Sequence, residues 1–316
     1  MDEWKSALKA DPIAWLLERE SPSTRYWTLT DILDLVADDP KVQASRAAIP
    51  THPPAAELLA AQKSGGYCVQ QDYYLPKNTG TFWVLSVLAD LGLTAENEHV
   101  RQGCEYMFAH QREHGTFCRR RRVPGQGVVW ETQDAPCTQA RIVRLLIQFG
   151  YGDDPRTQAG MGWLLATQRS DGMWLCDRAG GHGCLRATLD VLRAAALDPT
   201  TAAHPAITCA AAVMCNLLME PRMGRYHVGD MWAVLEYPYV GYGVIPALDA
   251  LDRLGHTLEQ PKVARAMEYL LSRQLPNGTW PLDQSAHRPP FNVGQPGQPN
   301  KWLTLDALRV IKSLYS

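Results

Sequence analysis

The sequence predicts an all-α protein, an α/α toroid of six inner and six outer helices, on three observations. A helix-ending corner recurs along the chain, and each copy is followed by a strongly apolar helix. The β-branched alternation that marks strands is nearly absent.

The corners are LLAAQKSGGYC (58–68), FAHQREHGTFC (108–118), LLATQRSDGMW (164–174) and LLSRQLPNGTW (270–280). Each has an apolar helix end, a Gln, a short polar turn, a Gly and a nearby aromatic residue. Glycine supplies the positive φ that stops a helix, and the aromatic ring staples the turn to the next unit. A fifth stretch, LLMEPRMGRYHVGDMW (217–232), keeps the Gly and loses the Gln. The helices that lead into corners are read at 11–20, 53–62, 98–111, 154–168, 204–219 and 259–274, several opening with Asp or His followed by Pro, which suits a first helical turn. The second helices are read at 24–36, 79–92, 137–150, 184–197, 241–255 and 302–314. Those second helices are the more uniformly apolar and need cover on all sides, which favours a closed ring over an open solenoid. The whole chain, 1–316, is then a single toroid domain.

With 316 residues, 46% of them hydrophobic, the chain can bury a large core. A net charge of −2 gives no basis for nucleic-acid binding. No apolar run reaches the ~20 residues of a membrane helix, and MDEWKSALKADPIAW lacks the basic start and apolar core of an export signal, so a cytoplasmic protein is expected. In that compartment the eight cysteines are core thiols, metal ligands or nucleophiles rather than a disulfide framework. Cys104, Cys209 and Cys215 sit in apolar helical runs and are read as core.

The chemistry is expected at the starts of the inner helices, which converge on one mouth of the ring and favour anions. The segments 115–137 and 172–184 supply Cys118, Asp134, Cys137, Cys176, Asp177, His182 and Cys184, all residue types that bind Zn²⁺. The alternative reading has the thiols filling gaps between helices. Arg119, Arg120, Arg121 and Arg122 form either an anion site or a solvated face. Tyr73, Tyr74, Phe82 and Trp83, with Tyr237, Tyr239 and Tyr242, either line a cavity for an apolar ligand and a carbocation or pack the core.

The Gln-x-x-x-Gly-x-Trp pattern of QRSDGMW and QLPNGTW resembles the repeat of squalene and oxidosqualene cyclases and of protein prenyltransferase β subunits, over nearly the whole chain. This resemblance implies the α/α toroid and an apolar, isoprenoid substrate. In the prenyltransferase branch, Asp134-Ala-Pro-Cys137 stands for an Asp-x-Cys motif and His182-Gly-Cys184 for His-x-Cys. That match implies Asp134, Cys137 and His182 as zinc ligands, with Arg120 or Arg121 near a diphosphate. One extra residue between Asp134 and Cys137, and a short loop before His182, bring in Cys176 and Cys184 as alternative ligands. The cyclase branch uses an Asp-x-Asp-Asp acid motif, which this chain lacks; Glu131 and Asp134 are the substitute acid pair. A third, looser resemblance is to lanthionine synthetases, whose two Cys and a His hold a zinc that activates a thiol. The expectation is a prenyltransferase-like or cyclase-like enzyme acting on a hydrophobic substrate in a central cavity, with zinc at the mouth. Its non-enzymatic alternative is a toroid that binds an apolar ligand or a protein partner.

Overall fold

The computed structural model describes residues 3–132, 135–176, 182–220, 231–239, 242–285 and 291–316. In chain order the helices are α1 (Ile13–Leu16), α2 (Pro22–Trp27), α3 (Pro40–Ala48), α4 (Ala55–Ala60), α5 (Thr81–Asp90) and α6 (Glu98–Phe108). A hairpin of β1 (Cys118–Val123) and β2 (Gly127–Thr132) follows. Then come α7 (Pro136–Leu146), α8 (Pro155–Ala166), α9 (Leu185–Ala195), α10 (Pro199–Ala202), α11 (Pro205–Leu217), α12 (Val244–Arg253), α13 (Pro261–Ser272) and α14 (Lys301–Leu314). The chain divides into two compact units, residues 1–53 with 211–316, and residues 54–210, the boundary falling within α11. No helix among the described residues is long and apolar enough to cross a membrane.

In the unit of residues 54–210, α7 packs on α8 and α9, and α5 packs on α6 and α7. The corners between these helices share one construction. Gln62, Gln111 and Gln168 each donate their amide to the carbonyl of the corner glycine, Gly66, Gly115 or Gly172. The same amide reaches a second carbonyl in or beside the first turn of the next corner-leading helix: His99, Arg156 or Ala206. One side chain therefore ends its own helix and occupies a carbonyl at the start of another. Close approach explains the glycine: a Cβ on Gly115, at φ +99°, would lie 2.2 Å from the Ala159 carbonyl oxygen.

A second set of bonds ties each corner to the helix that follows. The backbone N–H of Cys68 donates to Thr81 Oγ1 and that of Trp174 to Thr188 Oγ1. At the middle corner Gln139 substitutes, accepting from Phe117 N and donating to Phe117 O. The Trp174 indole donates to the Leu164 carbonyl at 2.7 Å, which closes the corner over the preceding helix.

The unit of residues 1–53 and 211–316 repeats the plan. Gln274 donates to Gly278 O and to Ala10 O and accepts from Lys9 N at 2.6 Å. Trp280 donates its indole to Leu270 O and its backbone N–H to Thr304. Helix α14 packs on α12 and α2. At their seam Arg309 is held between Asp31 and Asp306 and lies over the Trp27 ring at 5.1 Å.

Two expectations need correction. The chain is not wholly helical: Arg119–Arg122 lie in strand β1, paired antiparallel with β2 so that Arg120 faces Trp130 and Arg122 faces Val128. The turn Pro124-Gly125-Gln126-Gly127, with positive φ at both glycines, reverses the chain, and cross-strand pairing rather than intrinsic preference makes the strand. Cys209 is exposed rather than core, because it lies on the outward side of α11, whereas Cys104 and Cys215 are buried as expected.

Candidate functional site

Four of the aromatic residues read from the sequence, Tyr73, Tyr74, Phe82 and Trp83, assemble in the 54–210 unit, on the segment before α5 and the first turn of α5, against the hairpin. Tyr73 is fully buried and stacks on Trp130, centroids 6.2 Å apart and planes 10° apart. His110 completes this group, 3.7 Å from the Trp130 ring, its Nδ1 on the Tyr106 carbonyl at 2.8 Å. Tyr74, Phe82 and Trp83 form an adjoining triangle with centroids 5.2–5.5 Å apart. The Trp83 indole donates to the Tyr74 carbonyl and fixes the triangle. Two guanidinium groups lie against it, Arg119 over Tyr74 at 4.7 Å and Arg141 near Trp83 at 5.9 Å.

Strand alternation divides the arginine run. Arg119 and Arg121 share one face of the hairpin, Arg120 and Arg122 the other. Arg121 is well exposed and pairs with Glu131 at 3.1 Å, so this predicted acid is engaged on the hairpin surface. Arg120 is half-buried beside Trp130, and its charge reaches the Tyr106 hydroxyl. Asp134, the other predicted acid, lies outside the described residues.

Asp72 was not anticipated. It is buried, with Oδ1 accepting from the backbone N–H groups of Tyr74 and Leu75, while Oδ2 has no hydrogen-bond partner among the described residues. The Tyr73 hydroxyl and Arg119 Nε are likewise buried without a partner. Burial, reinforced by the Asp72 charge, holds the Tyr73 hydroxyl well above the usual phenol range, so it keeps its proton.

Beside this cluster the paired helices α7 and α9 carry a buried ion pair, Arg141 Nε to Asp190 Oδ2 at 3.0 Å, with side chains 9% and 5% exposed. Arg186 Nε stands 3.9 Å from the same oxygen. The predicted thiols gather here: Cys184 lies within electrostatic reach of Cys176, and Cys137 within reach of Cys176, Asp190, Arg186 and Arg141. Burial raises the Cys137 thiol and pushes Cys184 up to about 12. His182 is exposed, and Asp177 lies outside the described residues. Among the described residues no group of three or more His, Cys, Asp or Glu side chains is placed to hold a metal ion.

Tyr239 belongs to the other unit. There it lines a small pocket with Leu235, Glu236, Tyr242, Ile245 and Leu303, and its hydroxyl donates to Asp306 at 2.8 Å.

No family model matches the chain, and no curated protein sequence does. Solved structures do. A protein from Actinoplanes matches at a TM-score of 0.50 and 17% identity, over 93% of this chain and 90% of that one. The type II terpene cyclase MstE from Scytonema matches at a TM-score of 0.50 and 15% identity, over 99% of this chain and 98% of that one. The fold is that of a type II terpene cyclase. The resemblance carried by the corner motifs therefore holds at the level of fold, which by itself does not fix an activity.

Proposed function

We propose that the chain is a terpene-cyclase-like enzyme that takes a hydrophobic, isoprenoid substrate against the aromatic wall of the 54–210 unit. The architecture we propose for it is the ring of six inner and six outer helices anticipated from the repeats. One observation carries the reading: the faces of Tyr74 and Trp83 already engage cations, the guanidinium groups of Arg119 and Arg141. Ring quadrupoles that attract a guanidinium attract a carbocation of a cyclising polyene in the same way. Stacked Tyr73 and Trp130 supply apolar area for the chain itself. Of the proposed acids, Glu131 is engaged by Arg121, which favours Asp134 as proton donor.

The test is incubation of the purified protein with C15 and C20 prenyl alcohols, diphosphates and prenylated phenols, followed by mass spectrometry for cyclised isomers. Cyclised product that is lost in Trp83→Ala and in Asp134→Asn supports the reading. Saturable binding without product makes the chain an apolar-ligand binder instead.

A second reading is favoured by the mutual electrostatic reach of the Cys176, Cys184 and Cys137 thiols. Zinc would be held by these sulfurs, with Asp134 or His182, and would lower the pKa of a bound thiol or water. The thiols have the right donor chemistry, but a complete ligand set is not present among the described residues. Zinc content of protein purified without chelator, compared with Cys137→Ala and His182→Ala, decides it.

A further inference from the structure

Buried polar atoms in folded proteins are nearly always partnered, so orphans that gather in one place call for an explanation. Three gather here. Asp72 Oδ2, the Tyr73 hydroxyl and Arg119 Nε are each buried without a hydrogen-bond partner among the described residues. Asp72 and Tyr73 are consecutive, and the charges of both Asp72 and Arg119 reach the Tyr73 hydroxyl. The surroundings are apolar and aromatic: Tyr73 stacks on Trp130, and Arg119 lies over Tyr74.

We infer that Asp72, Tyr73 and Arg119 form a recognition site for a neutral hydroxyl group at the polar end of an isoprenoid ligand, an assignment that rests on the function proposed above. The argument is one of inventory. Asp72 Oδ2 can only accept a hydrogen bond from a ligand, Arg119 Nε–H can only donate, and the Tyr73 hydroxyl, which keeps its proton, donates as well. A hydroxyl group donates one hydrogen bond and accepts two, which meets the three atoms one for one. A hydrocarbon end leaves all three unpaired. An ether accepts but cannot donate, so Asp72 Oδ2 stays orphaned. A diphosphate only accepts, and it brings negative charge against the carboxylate. Water can also meet all three atoms, with one O–H to spare, but it makes no use of the adjoining aromatic faces, whereas a prenyl chain attached to the hydroxyl does.

The experiment measures binding of farnesol, its methyl ether, the hydrocarbon farnesene and farnesyl diphosphate to the full chain by calorimetry or tryptophan fluorescence. Farnesol is expected to bind about tenfold or more tightly than the ether and the diphosphate, the scale of a hydrogen bond to a charged group. Tyr73→Phe is expected to weaken farnesol by about three- to tenfold and to leave farnesene unchanged. An unaltered or raised melting temperature for Tyr73→Phe shows that the fold is intact. Equal binding of farnesol and its ether, tightest binding of the diphosphate, or no effect of Tyr73→Phe on farnesol overturns this assignment while the isoprenoid reading stands. Failure of all four probes to bind overturns both.

Discussion

Tyr73 and Trp130 lie nearly parallel, 6.2 Å apart and 10° from coplanar, and this stack fixes a hydroxyl that bonds to nothing among the described residues. The ring is satisfied by its neighbour; its tip is not. A buried unpaired hydroxyl costs about 1–3 kcal/mol, so its removal should not destabilise the ligand-free protein. Chemical denaturation of Tyr73→Phe is expected to give an unfolding free energy equal to or up to about 1 kcal/mol above that of the parent. A clear loss of stability would show that the hydroxyl has a structural partner.

The corners give a graded series. Gly115→Ala drives a Cβ to 2.2 Å from the Ala159 carbonyl and should cost about 3 kcal/mol or more. Gly125→Ala, in the open hairpin turn at φ +79°, meets nothing within 4 Å and should cost only the about 1–2 kcal/mol of a left-handed residue. Gln111→Leu strips a donor from Gly115 O and Arg156 O and should fall between them, at about 1–3 kcal/mol. Thermal melts of the three variants order them directly.

Asp190→Asn leaves Arg141 buried beside a neutral partner, and about 3–5 kcal/mol of stability is expected to go. Replacing both residues with apolar ones, Arg141→Met with Asp190→Leu, should return most of that loss. If the double variant is as unstable as the single, the pair does more than neutralise itself.

Thiol reactivity is the cheapest check on the burial of Cys184. At pH 8 iodoacetamide should label exposed Cys209 readily, whereas Cys184, pushed up to about 12 by burial, should resist until the protein unfolds. Peptide mapping by mass spectrometry reads both positions in one sample.

Acid should weaken the fold through His110. Burial lowers its pKa below that of an exposed histidine, outweighing the Tyr106 carbonyl and the Asp72 charge, which favour protonation. The unfolded chain thus binds more protons between the two values, and stability rises with pH there. Unfolding free energy should fall as pH drops below about 6.5, and His110→Gln should flatten that slope. His256, whose pKa burial also lowers, accounts for part of what remains.

The helices and corners could be read from the sequence because both are local: a 3.6-residue apolar period and a Gln-to-Gly turn act within a dozen residues. The aromatic group was legible as residue types, and the structure brings Tyr73, Tyr74, Phe82 and Trp83 together while placing Tyr239 in the other unit. Cys209 was misjudged because an apolar run does not say which side of a helix faces inward. The arginine strand was hidden because its pairing with β2 is a property of two segments. Asp72 was overlooked in QQDYYLP for a related reason: whether a carboxyl oxygen has a partner is decided by everything folded around it, and no spacing records that. The only hint was a carboxylate set directly before two tyrosines.

The grip of Gln274 on Lys9 and Ala10 has a bearing on how the chain is made. These groups are separated by about 265 positions, so the unit they belong to waits on synthesis of both its parts. Residues 54–210 form the other unit without interruption and are complete on the ribosome while residues 211–316 are still to come. Folding during translation is therefore expected to start in residues 54–210, with residues 1–53 held in reserve until residues 211–316 have followed.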